Sequence, residues 1–267
     1  MTQLGTSPRV LNRAELPAAT PGTPRSLVLV PALSEPGRLP KVVGSVLDTL
    51  DTDVLVLDAG GNAFNSSVFP GQVSALGVPP GVGSAVRSGL EYAMAHGYEV
   101  VTRIDGDGQH APAVLHELLE RQKNGTDLVL GSRYHPLSPV VAAPPSDRIA
   151  LNVMFRSLVQ QVCGLAMTDV ISGCWAMSRK TMTYLVPRIR VQGYGSTLEI
   201  LMLLGLSGQF SIAEVPHPAI YAGQSIEERY TKERLAARCT RAAVYLEVVA
   251  DVMDRHDIRG WPLLVQR

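Results

Sequence analysis

The stretch "YEVVTRIDGDGQH" at residues 98–110 joins an apolar run to two carboxylates that a single glycine separates. Its first half is apolar and rich in β-branched residues, which predicts a strand buried on both faces of a parallel sheet. Two carboxylates this close repel each other unless a positive group lies beside them. The stretch therefore predicts a strand that ends in a polar loop, and it raises the question of what neutralises Asp105 and Asp107.

Short apolar runs alternate with segments of helical spacing on both sides of this stretch. This alternation predicts an α/β fold in which a Rossmann-like, mostly parallel sheet is flanked by helices. The predicted strands are 26–33, 53–61, 72–78, 99–104 and 127–133, and the predicted helices between them are 38–50, 84–97 and 111–125.

Composition divides the chain into three parts. Residues 1–24 are rich in Pro, Thr and Ala and are expected to form a flexible leader. Residues 25–225 hold the sheet, with a proline-rich loop at 134–147, a helix at 148–164 and paired strands at 209–221. Residues 226–267 are expected to form a long C-terminal helical extension, over 226–256, that packs on the domain or on a partner subunit in a homodimer.

Charge and hydropathy narrow the class of protein. Lys plus Arg and Asp plus Glu each total 24 in the 267 residues, so the formal net charge is zero. A nucleic-acid partner would normally require a basic excess, and none is expected here. No apolar run approaches the roughly 20 residues of a membrane-spanning helix. We therefore expect a cytoplasmic protein, with peripheral contact to a membrane left open.

Polar residues follow three of the predicted strands. Asp58, Asp105 and Arg133 each stand at the end of a strand. In open α/β sheets, ligands bind in the crevice outside the carboxyl ends of the strands. The sequence therefore predicts one shared crevice at this edge.

The paired acids have three interpretations. Asp-Gly pairs are common in simple turns. An EF-hand calcium loop is excluded, because its sixth position is His110 instead of Gly and its twelfth is His116 instead of Glu. The third interpretation is a divalent metal, because the oxygens of Asp105, Asp107 and Gln109 suit Mg²⁺ or Mn²⁺ that carries a diphosphate.

Six segments in order along the chain resemble family 2 glycosyltransferases with the GT-A fold, in the dolichol-phosphate mannose synthase-like branch. The segments are "PALSE" (31–35), "LDAGG" (57–61), "GVGSA" (81–85), "DGDGQH" (105–110), "GSR" (131–133) and "DVISGCWA" (169–176). The resemblance implies a metal-dependent, inverting transfer of a hexosyl or N-acetylhexosaminyl group from a UDP- or GDP-sugar.

The resemblance also implies roles for individual residues. Asp105, Asp107 and Gln109 are expected to hold Mg²⁺ or Mn²⁺, and Asp107 and Asp169 are the expected catalytic residues. Arg133 is expected to reach the diphosphate with its planar guanidinium. The expected nucleotide-sugar pocket comprises Pro31, Leu33, Glu35, Asp58, Gly81, Gly83, Asp105, Gly106, Arg133 and Glu199.

The acceptor depends on which nucleophile the site serves. A phosphate monoester has a second pKa of about 6, so a polyprenyl phosphate is already ionised and needs cations and an apolar surface, but no general base. A hydroxyl acceptor needs a positioned carboxylate, for which Asp169 is the candidate; its alternative role is to hold a loop. The resemblance favours the lipid phosphate. A soluble hydroxyl acceptor in natural-product biosynthesis is the alternative, because the family's basic Ser-Lys segment is not recognisable at 221–232.

Two other classes of protein remain open. A nucleotidyltransferase also uses paired acids on an α/β sheet, but it usually carries a glycine-rich, basic loop after the first strand, and "PALSEPGRLP" has one Gly and one Arg. A non-catalytic nucleotide-sugar-binding protein is the other, because Ala59 and Leu33 replace residues of the family pattern.

Overall fold

The structure is a computed structural model that describes residues 10–12, 25–32, 37–60, 64–65, 68–69, 71–141, 144–221 and 232–259. The β-strands are Val10–Asn12 (β1), Ser26–Ala32 (β2), Asp53–Asp58 (β3), Val73–Gly77 (β4), Val100–Arg103 (β5), Leu128–Ser132 (β6), Trp175–Ser178 (β7) and Ile212–Pro216 (β8). The α-helices are Leu39–Thr49 (α1), Val82–Ala95 (α2), Val114–Lys123 (α3), Ser146–Cys163 (α4), Arg179–Leu185 (α5), Ser196–Ser207 (α6) and Lys232–Arg255 (α7).

All described strands join one sheet in the order β1-β4-β3-β2-β5-β7-β6-β8. The neighbours β4-β3-β2-β5 run parallel, and so do β6 and β8. Strand β7 runs antiparallel to both β5 and β6, and it closes the gap between the two parallel groups. The predicted α/β class and mostly parallel sheet are confirmed, and the carboxyl ends of β2, β3 and β5 share one edge.

Helices cover both faces of this sheet. Along β2, Leu27 and Leu29 belong to the core beneath α2, α4, α6 and α7, whereas Val28 and Val30 belong to the core beneath α1 and α3. Successive side chains of a strand point to opposite faces, so an unbroken apolar run is needed to fill both cores. Each such side chain stabilises the fold by about 1.5–3 kcal/mol through burial.

The leader contributes a strand, so the prediction of a flexible segment was wrong for residues 10–12. Strand β1 pairs antiparallel with β4, with Val10 opposite Leu76 and Asn12 opposite Ala75. Pairing with a free sheet edge uses main-chain hydrogen bonds and needs no periodic apolar pattern. This explains why the sequence pattern gave no sign of it. The other residues of the leader lie outside the described residues.

The prediction of paired strands at 209–221 was also wrong. The segment forms the single strand β8, which runs parallel to β6 instead of folding back on itself. Pro216 and Pro218 lack the amide hydrogens that a second strand of a hairpin would have to donate. The predicted C-terminal helix corresponds to α7, which packs against α6, and residues 222–231 lie outside the described residues.

Within the described residues, no helix combines the length and the apolar character that crossing a membrane requires.

Candidate active site

A cavity of about 410 Å³ opens at the carboxyl edge of the sheet. Its wall comes from the ends of β2 and β5, the start of α2, the loop before α6 and the faces of α4 and α7 that turn towards the sheet. The predicted site residues that line it are Pro31, Gly81, Asp105, Gly106, Asp107, Gln109 and Arg133. The structure thus brings Asp105 and Asp107 of the acidic loop and Arg133, which was predicted to bind the diphosphate, to one cavity.

Other predicted residues lie behind the wall or outside the description. Asp58, Gly83, Asp169 and Glu199 do not line the cavity. Leu33 and Glu35 lie outside the described residues, so their expected contacts with the donor stay predictions.

Arg103, the last residue of β5, neutralises Asp105 from within the sheet. Its Nε and Nη2 atoms donate to Asp105 Oδ1 at 3.0 and 2.7 Å, and His110 Nε2 faces Asp105 Oδ2 at 3.8 Å. Burial alone would raise the pKa of Asp105, but Arg103 and His110 outweigh it and hold the pKa well below its usual range. Asp105 is therefore a fixed anion. Sequence reasoning missed Arg103, although a charged residue inside an apolar strand was a visible signal.

The backbone of Gly173 supports the same carboxylate. A Cβ atom at Gly173 would overlap with Asp105 Oδ2, so only glycine leaves room for the carboxylate. Gly173 belongs to the "DVISGCWA" segment, just before β7. The antiparallel strand thereby sets the position of the acidic loop.

Asp107 shapes the acidic loop through a hydrogen bond within the loop. Asp107 Oδ1 accepts a hydrogen bond from the amide of Gln109 at 2.9 Å, which closes a tight turn. Asp105, Asp107 and Gln109 all line the cavity and are only partly buried. Their donors are carboxylate and amide oxygens, the ligands that Mg²⁺ and Mn²⁺ prefer. The residues present therefore fit a hard divalent cation.

Behind the loop lies a buried cluster that the sequence did not reveal. His110 Nδ1 and His217 Nε2 are 3.2 Å apart, and Cys174 Sγ lies within 4.8 Å of both. Burial, with His110 and Arg133 nearby, lowers the pKa of His217 to about 3, so the ring is neutral. The pair joins β8 to the acidic loop across the sheet.

Asp58 lies beside the cavity at the end of β3, and Ala59 lines the wall next to it. Asp58 Oδ1 accepts from the Gly60 amide at 3.0 Å, whereas Oδ2 is buried and has no hydrogen-bond partner among the described residues. A buried polar atom without a partner costs about 1–3 kcal/mol, more for a charged group. The described part of the chain therefore leaves this oxygen uncompensated, one residue away from the cavity wall.

The glycines of "GVGSA" let a loop pack on the first turn of α2. The amides of Gly83 and Ser84 donate to the carbonyls of Gly193 and Gln192 at 3.1 and 2.9 Å. A Cβ atom on Gly81 or on Gly83 would overlap with the backbone of that loop. We expected these glycines to let the backbone approach the ligand. Gly83 instead permits close packing inside the protein, because the carbonyls of the loop already occupy the Gly83 and Ser84 amides. Gly81 lines the cavity, so its approach to a ligand stays a prediction.

Glu199 holds the same loop from the other side. Its fully buried carboxylate accepts from the amides of Arg190 and Val191 at 2.9 and 3.0 Å. It also accepts from Arg255 Nη2 on α7 at 2.7 Å. Residues 190–195 are thus held by contacts with α2, α6 and α7. Glu199, which was predicted to lie in the pocket, instead lies beneath the cavity wall.

Asp169 and Arg133 form an ion pair under the opposite wall. Asp169 is fully buried: its Oδ2 accepts from Arg133 Nε at 2.7 Å, and its Oδ1 accepts from Arg133 Nη2 at 3.0 Å. The amides of Arg133 and Ile171 donate to the same carboxylate. Burial alone would lower the pKa of Arg133, but Asp169 raises it well above its usual value. The pair fixes Arg133 as a cation on the cavity wall.

Two further arginines line the cavity near Arg133. Arg241 on α7 lies over the ring of Tyr194 at 4.4 Å, and its buried Nε has no hydrogen-bond partner among the described residues. Burial, and then the charge of Arg241, lowers the pKa of Arg148 on α4. Within the described part of the chain, no carboxylate forms an ion pair with either arginine. The sequence analysis did not identify Arg241 as a candidate site residue.

A family model described as "Glycosyl transferase family 2" matches residues 27–184. The polyprenol monophosphomannose synthase of Mycolicibacterium smegmatis is 29% identical over 76% of this chain and 80% of its own length. The undecaprenyl-phosphate mannosyltransferase of Micrococcus luteus is 30% identical over 72% of this chain and 82% of its own length.

Solved structures share the fold at lower sequence identity. Glucosyl-3-phosphoglycerate synthase from Mycobacterium tuberculosis, in complex with Mn²⁺, UDP and phosphoglyceric acid, has a TM-score of 0.60 at 21% identity and covers 85% of this chain and 78% of that chain. The same enzyme in complex with Mg²⁺ and UDP has a TM-score of 0.58 at 22% identity and covers 85% and 80%. The GT-A fold predicted from the sequence is confirmed.

The Gly173→Ala substitution should displace the Asp105 carboxylate, because the new methyl group overlaps with Oδ2. We expect the affinity for Mn²⁺ with a nucleoside diphosphate to fall by about tenfold or more, the scale seen when a supporting partner of a metal ligand is lost. Calorimetric titration measures this. Gly44→Ala on α1 is the control, because no atom lies within 4 Å of its added Cβ. Equal affinities in the two variants would contradict the role of Gly173.

The Glu199→Ala substitution should destabilise the fold, because it removes the acceptor of two amides and the buried partner of Arg255. Breaking a buried ion pair costs about 3–5 kcal/mol, so we expect the free energy of unfolding to fall by about 3 kcal/mol. Urea unfolding measures this, and Glu247→Ala, at an exposed position of α7, is the matched control. A loss below about 0.5 kcal/mol, as is usual for surface changes, would show that Glu199 holds nothing in place.

Proposed function

The chain belongs to glycosyl transferase family 2 and is a glycosyltransferase, and we propose that it is a metal-dependent, inverting enzyme whose donor is a UDP- or GDP-sugar and whose acceptor is a polyprenyl phosphate. The observation that carries the proposal is the division of charge in the cavity. The acidic loop contributes oxygen ligands to one part of the wall, and α4 and α7 contribute Arg148 and Arg241, which have no carboxylate partner among the described residues, to another. We call these parts the acidic end and the arginine end.

The arginine end favours an anionic acceptor. Burial lowers the pKa of Arg148, and repulsion from Arg241 lowers it further. A bound anion would relieve that repulsion, and a phosphate monoester offers oxygens that guanidinium groups bind in pairs. Arg133 lies beside them but is already neutralised by Asp169. The net positive charge of this end therefore comes from Arg148 and Arg241.

The state of Asp169 argues against a hydroxyl acceptor. A general base needs an oxygen within reach of the acceptor proton. Both oxygens of Asp169 accept hydrogen bonds from Arg133, and the carboxylate does not line the cavity. A phosphate oxygen is already ionised and needs no base. The names of the two bacterial relatives, which specify a polyprenol monophosphomannose product and an undecaprenyl-phosphate acceptor, support the same choice.

The acidic end favours a nucleoside diphosphate with a divalent cation. Asp105, Asp107 and Gln109 would hold Mg²⁺ or Mn²⁺. Asp58, next to Ala59 of the cavity wall, is the candidate to accept a hydrogen bond from the nucleoside, because one of its oxygens has no partner among the described residues. When bound, the cation would neutralise charge that develops on the leaving diphosphate. Solved structures with this fold contain UDP with Mn²⁺ or Mg²⁺, which supports the assignment.

The protein's own residues would divide the remaining work. Arg103, His110 and Gly173 keep Asp105 ionised and in place. Arg148 and Arg241 would hold the acceptor phosphate at the opposite end, so that it faces the anomeric carbon of the donor. Direct displacement by that phosphate would invert the anomeric centre.

Binding of the nucleoside diphosphate should depend on the metal. We expect calorimetric titration of UDP and GDP to show binding with Mn²⁺ and little or none with EDTA. Asp107→Asn should weaken metal-dependent binding by about 100-fold or more and reduce turnover with it, because it removes a ligand instead of a supporting group. Asp48→Asn, at an exposed position of α1, is the control. Undiminished affinity for UDP and GDP in EDTA would show that binding does not require a metal.

Acceptor recognition should depend on the unpaired arginines. A hydrogen bond to a charged group contributes about 1.5–3 kcal/mol, so Arg148→Gln and Arg241→Gln should each lower kcat/KM for a polyprenyl phosphate by roughly 10–150-fold. The affinity for the nucleotide should not change. Arg87→Gln is the control, because Arg87 pairs with Glu91 on the surface of α2. If the wild-type protein glycosylates hydroxyl compounds only, the soluble-acceptor alternative replaces the proposal.

A further inference from the structure

One segment of the chain concentrates exposed apolar side chains. Of the nine large apolar residues that are exposed in the described structure, six lie within residues 137–154. We call these six the docking face: Leu137, Val140, Val141, Ile149, Val153 and Met154. Val140 is 85% exposed and Leu137 is 75% exposed. Single exposed apolar residues are normal on a protein surface, but a cluster of six indicates an interaction site.

The docking face borders the acceptor end of the cavity. It begins four residues after Arg133, and its helical part begins at Ile149, directly after Arg148; both arginines line the cavity. Helix α4 buries Phe155 in the core, while Ile149 and Val153, one turn apart, are both exposed. One side of this helix therefore lines the cavity, and another presents apolar groups to the surroundings.

The charges around the docking face match an anionic surface. Asp147 is the single acid in residues 134–163, against Arg148 and Arg156. Apolar side chains next to basic ones form the pair of signals that holds a protein at the interface of an anionic bilayer. A second copy of the chain fits less well, because an isologous contact would bring the arginines of both copies towards each other.

We propose that the docking face binds the headgroup region of an anionic lipid bilayer and so presents the mouth of the cavity to a membrane-embedded acceptor. The proposal rests on the proposed function, because a polyprenyl phosphate keeps its chain in the bilayer and exposes its phosphate at the interface. With the docking face in the interface, Arg148 lies at the level of that phosphate. The apolar chain of the acceptor then never has to leave the membrane.

The first test measures membrane binding without any acceptor or nucleotide. Vesicles of phosphatidylcholine with phosphatidylglycerol are sedimented with the wild type and with Val140→Glu, Val153→Glu and Val68→Glu. We expect each of the first two to lower the partition coefficient by about tenfold, the scale of losing one buried valine. Val68→Glu, at a 70% exposed site outside the docking face, should bind as the wild type does. No wild-type binding, or equal binding by all variants, would overturn the proposal.

The second test separates docking from chemistry. Turnover is compared between a short, water-soluble polyprenyl phosphate and a long one embedded in the same vesicles. Val140→Glu and Val153→Glu should keep wild-type turnover with the soluble acceptor and lose most of it with the embedded one. Loss with both acceptors would overturn the proposal, because the side chains would then act on the site itself.

Two outcomes keep the two proposals distinct. If the wild type transfers sugar to neither polyprenyl phosphate but still binds vesicles through the docking face, the proposed acceptor is wrong and the membrane surface stands. If light scattering shows a dimer that Val140→Glu dissociates, and no variant or wild type binds vesicles, the face is a contact between copies and the membrane proposal fails.

Discussion

Neutralisation of buried carboxylates is the constraint on which the architecture of this site depends. Asp105, Asp169 and Glu199 are each held by an arginine, and in two of the three pairs the partner comes from a distant part of the chain. Breaking such a pair leaves an uncompensated buried charge, which costs several kcal/mol. The pairs therefore tie the acidic loop to β5, the end of β6 to the segment before β7, and α6 to α7. The cavity wall is rigid because these charges cannot be separated cheaply.

The same constraint makes two cavity arginines notable, because the described residues provide no carboxylate partner for either. Arg148 and Arg241 line the cavity without a carboxylate partner among the described residues, whereas Arg103, Arg133 and Arg255 each pair with one. The oxygen ligands of the acidic loop line another part of the same cavity. Cations left without an anionic partner in a cavity wall are what an anion-binding site presents before its ligand binds. The proposed function follows from this division more than from any single motif.

Some residues that the sequence singled out lie behind the cavity wall. Gly83 was predicted to approach a ligand, yet it makes room for the loop at 190–195. Glu199 and Asp169 were predicted to face the substrates, yet both are fully buried and bound by arginines. The chemistry of a residue type is visible in the sequence, so the sequence can name candidates. The direction in which a side chain points is set by neighbours far away in the chain.

The α/β class, the core strands and the acidic loop could be predicted from the amino-acid order, because apolar periodicity and residue type are local properties. The family could be predicted too, from six short segments in order. Three features were visible in the folded chain alone: β1 joins the sheet edge, β8 pairs with β6, and Arg241 of the last helix lines the cavity. Edge pairing uses backbone groups that every residue carries, and a long-range contact depends on where the whole chain places each element. Neither leaves a periodic trace in the amino-acid order.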